Sequence, residues 1–548
     1  MRSPVKPLVM LSLAVLLPAC GGGSSVATRR PLPSPTAAPS PRPTPTPVPS
    51  PSPTLAPAPV LTLAAPQELA FPDEPFRKGE PAATAPRAFT PPSVQRFKLD
   101  NGIDVFLVER HTIPTVTVRL AFEGGGIQDP PGQEGLISLC VSLMTDGTEK
   151  LDKLAFEAAL ADLASSIGSE AGADWQTFSM SALTRNLEPT LDLFVDSLLR
   201  PGMRADEFER NTRRRIEALR AVRGSVGGVA GRVQSSVIYG QRHPHGRIIT
   251  EAAVGKYSLD ACKAHAKTLH PKGARLFVAG DITADQVKAS IGARLANFTG
   301  AGKAAKVPGA PAPRPGKIFF VDVPGAPQSV VALMHVGPAR TAPDYVQTML
   351  MASVLGVGFT SRINMNIREQ KGYAYGARGG FDYTRKFGTF SAGGSIRTDA
   401  TVEAVKEIFA EIDKMQKGGP DEAELLREKT GTVLALPARF ETAGATLGTF
   451  EGLTYFGLPL DYYASYIPKV EAVTVKAAAA AARKYLRPRD LRILVVGDAK
   501  AVLPGLLELS QQGRLGKGGI TQLDADGVVV PAQPVPTKKP PATVPPPG

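Results

Sequence analysis

The chain has 548 residues and a formal charge of +13 at neutral pH. A chain of this length is expected to form at least two domains with large cores. Its 43% hydrophobic and 21% charged residues are typical of a globular protein. The positive charge would favour acidic surfaces or peptides, and the sequence carries no zinc-finger or RNA-binding signature that would indicate nucleic acid.

Residues 1–19 predict an export signal. Arg2 and Lys6 precede an apolar run, residues 8–17, that is too short to span a bilayer. The following Leu-Pro-Ala-Cys20 resembles a bacterial lipoprotein box, which implies cleavage before Cys20 and lipid on its thiol, a firm membrane anchor. The alternative is an ordinary secretion signal. Gly21 after the cysteine implies sorting to the outer membrane, so we expect a lipid-anchored, periplasm-facing protein of the cell envelope.

Proline-rich segments flank the globular part. Residues 20–92 are expected to be the lipidated cysteine and a linker, because residues 31–59 alternate Pro with Ser, Thr and Ala, which favours extended polyproline conformation. The C-terminal tail is set at residues 511–548; residues 528–548 are again proline-rich, and we expect them to be disordered. The linker would act as a spacer between the membrane and the folded part.

An internal repeat divides the remainder into two domains, at residues 93–304 and 305–510. Residues 273–281 (GARLFVAGD) and 490–498 (DLRILVVGD) are both apolar strands that end in Gly-Asp. Each half also has a matching strand near its start, at residues 117–123 and 329–336. The repeat spacing, on the order of two hundred residues, is one domain per copy and too long for a solenoid unit.

Strands and helices are mixed within each copy. Residues 95–108 contain two alternating runs around Asn101-Gly102, which predicts a hairpin. Helices are predicted at 153–167, 188–199, 204–223, 345–355 and 401–415, and a strand at 389–396. This order predicts the α+β class, with a mostly antiparallel sheet in each domain and helices on one face of the sheet.

Residues 135–148, GLISLCVSLMTDGT, resemble the zinc helix of the pitrilysin-type (M16, inverzincin) metallopeptidases. That family has roughly Gly-Leu-x-His-x-x-Glu-His-x-x-x-x-Gly-Thr, in which two His one helical turn apart reach one zinc ion and the Glu activates the bound water. The flanking Gly and Thr residues are in register. The first His falls on Ser138, the Glu on Val141 and the second His on Ser142, so the zinc chemistry is lost here.

The family takes its third zinc ligand, a Glu, from a later helix. The matching segment here is residues 208–220, FERNTRRRIEALR, and the ligand position falls on Ala218. Glu217 is adjacent, but one residue of helix turns a side chain by about 100°, so we expect it to point away. Four degenerate positions in register imply a zinc-free first domain, with no metal and no cofactor bound by this chain.

The second half keeps a different family motif. Residues 361–375, SRINMNIREQKGYAY, resemble Ser-Arg-Leu-x-x-x-Leu-Arg-Glu-x-x-Gly-x-x-Tyr. In active M16 enzymes the Arg and Tyr bind substrate carbonyls and stabilise the developing oxyanion, and the resemblance places these roles on Arg368 and Tyr375. The alternative is structural: Arg368 pairs with Glu369 or Glu403, and Tyr375 fills a core.

Two further cysteines and a histidine pair are also candidate sites. Cys140 and Cys262 allow a disulfide in an oxidising compartment, but their apolar helical surroundings favour two buried free thiols. His243-Pro-His245-Gly resembles a structural turn of the family. A serine nucleophile at Ser138 or Ser142 lacks a neighbouring motif for a base.

The resemblance covers about residues 94–505 and implies the LuxS/metallopeptidase-like fold in two copies. In the heterodimeric branch of the family, one subunit carries zinc and the other the Arg/Tyr pair, around a shared chamber. This chain has the second profile: it is not an enzyme alone, and its expected partners are a zinc-motif M16 subunit, peptide substrates and the membrane. The alternatives are a non-enzymatic peptide-binding or scaffold protein of the envelope, and a zinc enzyme with a rearranged site.

Overall fold

The computed structural model describes residues 79, 89–300, 302, 305–513 and 519–531. The described residues from 89 onward belong to one compact unit, which contains both halves of the predicted repeat. The export signal, Cys20, most of the proline-rich linker and residues 532–548 lie outside the described residues. Within the described ranges, no helix is long and apolar enough to cross a membrane.

The first half forms a six-stranded sheet and the helices around it. The strands are β1 (Gln95–Lys98), β2 (Asp104–Glu109), β3 (Thr115–Glu123), β4 (Ser166–Ala171), β5 (Trp175–Leu183) and β6 (Arg275–Gly280). The helices are α1 (Leu136–Met144), α2 (Lys153–Asp162), α3 (Leu187–Leu199), α4 (Ala205–Val222), α5 (Val226–Tyr239), α6 (Glu251–Val254), α7 (Leu259–Ala266), α8 (Ala284–Gln286) and α9 (Ala293–Leu295).

The second half repeats this plan. Its strands are β7 (Lys317–Asp322), β8 (Gln328–Gly337), β9 (Arg378–Tyr383), β10 (Gly388–Arg397), β11 (Arg492–Gly497) and β12 (Ile520–Leu523). Its helices are α10 (Tyr345–Ala352), α11 (Arg362–Asn364), α12 (Thr401–Gly418), α13 (Glu422–Leu434), α14 (Ala443–Phe456), α15 (Tyr466–Glu471), α16 (Val475–Tyr485) and α17 (Ala499–Gln511). Two π-helical turns, Ser353–Val357 and Met365–Gln370, continue α10 and α11.

The two sheets share one topology. Their strand orders are β1-β2-β6-β3-β5-β4 and β12-β7-β11-β8-β10-β9. In each, the strand that ends in Gly-Asp runs parallel to the first long strand and antiparallel to the second. The predicted repeat of strands is therefore confirmed in space, as is the hairpin of β1 and β2. The mostly antiparallel α+β architecture is also confirmed. The second sheet additionally contains β12, which lies within the segment 511–548 set apart as a tail and pairs with β7 in parallel.

The second face of each sheet is covered by a helix from the other half. Helix α5 lies on β8 and β11 of the second sheet, and α14 lies on β2, β3 and β6 of the first. Successive side chains of β2 point to opposite faces of the sheet, and both faces are apolar. Phe106 packs in the cluster that contains α14, whereas Val105 and Leu107 pack in the core of the first half. This exchange of helices extends the prediction of helices on one face, and it joins the halves into one unit.

Polar contacts reinforce the exchanged helix α14. Glu451 accepts a hydrogen bond from Arg119 at 3.1 Å and one from Thr177 at 3.2 Å. The hydroxyl of Tyr455 donates to Asp174 at 2.7 Å. These contacts join the second half to β3, β5 and the turn before β5.

The expectation of free thiols at Cys140 and Cys262 is wrong, because the two residues form a disulfide with a Cα–Cα distance of 4.7 Å. Both are fully buried, as expected, but α1 and α7 pack directly on each other, which the sequence could not show. The bond joins the degenerate zinc helix to α7 across 122 residues of sequence.

One predicted helix is too long. Helix α2 ends at Asp162, whereas the sequence predicts a helix over residues 153–167. Ala164 has a left-handed φ of 47°, and Ser165 N–H donates back to Leu160, so the chain turns and begins β4 at Ser166. The helices predicted at 188–199, 204–223 and 401–415 are confirmed within two to three residues at their ends.

Candidate functional site

Helix α1 begins at a sharply turned, capped end. Gly135 adopts a φ of 89°, in the left-handed region that favours glycine. The carboxylate of Asp129 accepts hydrogen bonds from the N–H groups of Gly135 at 2.6 Å and Ile137 at 2.9 Å, as an N-terminal cap does. Burial raises the pKa of Asp129, opposed by these two hydrogen bonds. The flanking sequence of the lost motif thus retains a structural function.

The three degenerate positions on α1 have different surroundings. Val141 is fully buried in the hydrophobic core of the first half. Ser138 is partly buried, and Ser142 is exposed. The helix therefore uses the former catalytic Glu position for packing and leaves the second His position facing solvent.

Arg215 of α4 occupies the space beside the first lost ligand. Its guanidinium donates to the carbonyl oxygen of Gly135 at 2.6 Å and to the hydroxyl of Ser138 at 3.0 Å. The nearby Tyr257 donates its hydroxyl to the carbonyl of Glu134; burial raises the pKa of Tyr257 to about 12, and the positive charge of Arg215 opposes this rise. Arg215 lies three residues before Ala218 and thus on nearly the same helical face. This spacing was the signal from which the position of Arg215 could have been predicted.

The residues present do not fit a zinc ion. Serine, valine and alanine at positions 138, 142, 141 and 218 offer no imidazole or carboxylate ligand, and the guanidinium of Arg215 would repel a divalent cation. Ala218 and the neighbouring Glu217 are both exposed. No cluster of three or more His, Cys, Asp or Glu suited to a metal occurs within the described residues.

Arg368 lies in the π-helical turn Met365–Gln370. Its guanidinium sits over the ring of Phe359, 4.6 Å from the centroid, and pairs with Glu369 at 3.1 Å. One half of the structural alternative is therefore present, the Glu369 ion pair. Glu403 pairs with Lys406 instead.

Tyr375 does not fill a core, which removes the other half of the structural alternative. Its side chain is 92% exposed in the loop between the π turn and β9. The loop leaves the helix at Gly372, whose φ is 64°, and the N–H of Tyr373 bonds back to the carbonyl of Ile367 at 2.9 Å. The loop itself is thus well defined, and the phenol projects from it into solvent.

The retained motif contains residues that support the fold and residues that lie at the surface. Ser361 and Ile367 are fully buried, and Arg362 makes a two-pronged ion pair with Glu424 at 2.7 and 2.6 Å. These residues fix the turn on α13. Arg368 and Tyr375 remain at the surface, and neither makes a polar contact with α1, α4 or any other part of the first half that the structure describes. The degenerate site and the Arg/Tyr site are therefore separate within one chain.

Comparison with protein families matches both halves. The family described as insulinase (peptidase family M16) matches residues 104–225, and the peptidase M16 inactive domain matches residues 259–432. Together the matches span more than half of the 548 residues.

Individual relatives agree with these matches. A Helicobacter pylori protein named "Non-peptidase homolog YmxG" is 24% identical over 412 residues, which is 73% of this chain and 92% of that protein. A peptidase M16 inactive domain from Pseudomonas fluorescens has a TM-score of 0.70 and 23% identity, over 75% of this chain and 99% of its own. A Helicobacter pylori structure described as a protease has a TM-score of 0.67 and 20% identity, over 74% and 99%.

At 23% and 20% identity, the two structural matches show only that the fold is shared. The family matches and the residues of helix α1 are the observations that bear on catalytic chemistry. The chain belongs to the M16 peptidase family, and its residues 259–432 match the domain that the family describes as inactive.

Proposed function

We propose that this chain is the Arg/Tyr-bearing subunit of a two-chain M16 peptidase whose zinc is bound by the partner subunit. The observation that carries the proposal is the exposure of Tyr375, seven residues after Arg368, which also lies at the surface. A tyrosine that contributed only to folding would bury its ring. Here the ring faces solvent, where a partner or a substrate can contact it.

The chemistry of the pair suits a peptide carbonyl. A guanidinium and a phenol both donate hydrogen bonds, and donors aimed at a polarised carbonyl oxygen stabilise the oxyanion that develops during hydrolysis. The ring of Phe359 holds one face of the Arg368 guanidinium. The Glu369 partner is itself half exposed, so solvent screens that ion pair and Arg368 can exchange it for a substrate carbonyl.

A peptide in extended conformation has a place to bind next to this pair. Strand β9 begins three residues after Tyr375 and lies at the edge of the second sheet, paired with β10 on one side. Edge strands accept an additional strand through main-chain hydrogen bonds. Unfolded peptides are therefore the proposed substrate class.

The zinc must come from the other chain, because the first half of this one has Arg215 beside the first ligand position. For the location we propose the cell envelope, with the lipid on Cys20 and the folded part facing the periplasm at the outer membrane. The disulfide between Cys140 and Cys262 supports an oxidising compartment.

Co-expression tests the pairing. The neighbouring reading frames are searched for an M16 chain with an intact zinc motif, and this chain is purified by an affinity tag from cells that produce both. We expect the second chain to co-purify in equal amount, and a quenched peptide to be cleaved only when both are present. A zinc-bearing chain that cleaves equally well alone would contradict the proposal.

A second candidate is a non-enzymatic peptide-binding or scaffold protein of the envelope. The name of the YmxG relative and the ion pair of Arg368 with Glu369 favour it. In that case a labelled peptide would bind the chain in the absence of any partner, and no zinc-motif partner would co-purify. Stoichiometric zinc in the purified chain would instead support the rearranged zinc enzyme.

A further inference from the structure

A small cavity of about 150 Å³ lies in the second half, away from both sites described above. It is bounded by α10, α14 and the segment that leads into α15. The residues that line it are Arg340, Tyr345, Arg439, Gly448, Thr449, Gly452, Leu453, Phe456, Leu458, Tyr463 and Tyr466. Aromatic rings and two arginines dominate the lining, and no Asp or Glu belongs to it.

Arg340 is the unusual member of this lining. Arg340 is buried, with 9% of the residue exposed. Its guanidinium lies 3.4 Å from the ring centroid of Tyr345 and 5.0 Å from that of Tyr462. Within the described residues it has neither an ion pair nor a hydrogen bond to a protein acceptor. Asp344, four residues away, is already bonded to Lys484 at 2.8 Å and Tyr485 at 2.5 Å.

A buried guanidinium without an anion is energetically unfavourable. Removing a charge from water is unfavourable unless the charge is paired and hydrogen-bonded. The stacked tyrosine rings offset part of this cost through cation–π contacts. They leave the five N–H donors of the guanidinium without a protein acceptor, and its nitrogens keep some contact with the solvent of the cavity.

The other polar groups around the cavity are also donors. Arg439 is close enough to Tyr345, as Arg340 is, to oppose the rise that burial causes in the pKa of Tyr345. The hydroxyl of Tyr466 donates only to the sulfur of Met349, at 3.2 Å, which is a weak acceptor. The cavity therefore combines two positive charges with phenolic hydroxyls and lacks a carboxylate.

We propose that this cavity binds a small oxyanion, a carboxylate or a phosphate group, with Arg340 as its principal ligand. The planar guanidinium matches either group by two parallel hydrogen bonds. A cavity of about this volume holds a benzene-sized molecule, so a single small acid fits and a polymer does not. The proposal stands independently of the Arg/Tyr site, because none of its residues belongs to that site.

Ligand-induced stabilisation of the purified chain tests the proposal. Acetate, benzoate and phosphate are titrated at constant ionic strength against chloride, with neutral benzamide as the shape control. We expect at least one oxyanion to raise the melting temperature saturably, which is how a ligand of the native state acts, while benzamide and chloride do not. A response to acetate or benzoate identifies a carboxylate site, and a response to phosphate alone identifies a phosphate site.

Variants then assign the effect to the guanidinium. Arg340→Met should weaken oxyanion binding by about tenfold or more, as expected for the loss of charged hydrogen bonds, without lowering the melting temperature of the ligand-free chain. Arg439→Met, at an exposed position, should weaken binding by a smaller factor, and the exposed Arg213→Met should leave it unchanged. No saturable response to any of the three oxyanions, or equal binding by Arg340→Met or by Arg439→Met, would overturn the proposal.

Discussion

Helix α1 and the segment from Arg368 to Tyr375 are the two places where this chain carries a motif of its family, and they differ in what surrounds the motif. On α1 the former functional positions are taken up by the fold: Val141 packs in the core and Ser138 bonds to Arg215. In the other segment, Arg368 and Tyr375 lie at the surface. The neighbouring motif residues, such as the buried Ile367, support the fold.

The difference separates motif positions that take part in the packing of the fold from motif positions that lie at the surface. Once the zinc ligands are absent, α1 is held by an N-terminal cap, an arginine from α4 and a disulfide to α7. Arg368 and Tyr375 stabilise little by their position, so their presence is better explained by a contact outside the chain.

The largest effect is expected from the disulfide that holds α1. Replacing both Cys140 and Cys262 by Ala should lower the free energy of unfolding by about 4 kcal/mol, because the bond closes a loop with a sequence separation of 122. Urea unfolding measures this, and wild-type protein treated with reductant serves as the control. A double variant within about 1 kcal/mol of wild type, or free thiols at both positions in unreduced protein, would count against it.

Restoring an acidic residue on α1 separates packing from exposure. Val141→Glu should cost about 3 kcal/mol or more, because a carboxylate cannot be buried without a partner. The matched variant Ser142→Glu, one residue further on the same helix, should change stability by about 0.5 kcal/mol or less. Thermal and urea unfolding of the two proteins give the comparison, and equal effects would mean that α1 does not face the core as described.

Each half contains a histidine with little access to solvent: His335 is buried and His265 is partly buried. Burial lowers the pKa of His265 and of His335 to about 4. Because the unfolded chain binds these protons near pH 6.5 and the folded chain does not, stability should fall as the pH is lowered from about 6.5 to 4, by up to roughly 3 kcal/mol per histidine. His265→Gln and His335→Gln should each flatten the pH profile of urea unfolding; an unaltered profile in both would refute this account.

A smaller effect is expected from the arginine beside Ser138. Arg215→Met removes two hydrogen bonds to α1 and should lower the free energy of unfolding by about 1–2 kcal/mol. Arg213→Met, two residues away and exposed, is the control and should have an effect of about 0.5 kcal/mol or less. Equal values for the two variants would remove Arg215 from the support of α1.

The fold was predictable because its signals are local and repeated. The paired strands that end in Gly-Asp and the Asn101-Gly102 hairpin each follow from a few neighbouring residues, and two copies of one pattern imply two copies of one sheet. The end of α2 was not predicted because Ala164 adopts a left-handed φ, and an alanine side chain gives no indication of that conformation.

The remaining features depend on contacts between distant residues. The pairing of Cys140 with Cys262 and the exchange of α5 and α14 between sheets both depend on how elements pack. No local pattern encodes these contacts. The surface position of Tyr375 likewise depends on the turn at Gly372 and on the burial of the residues before it.

The most direct test of the account is the activity of a complex between this chain and its zinc-bearing partner, measured as kcat/KM for a quenched peptide. Arg368→Ala and Tyr375→Phe should each lower kcat/KM by about 100-fold, as loss of an oxyanion donor does. Stability should change by about 0.5 kcal/mol or less for Tyr375→Phe, whose ring is exposed, and by about 1 kcal/mol or less for the partly exposed Arg368. Arg427→Ala, on α13 of the same half, should leave kcat/KM unchanged. Full activity of the complex with both Arg368→Ala and Tyr375→Phe would contradict the division of the active site between two chains.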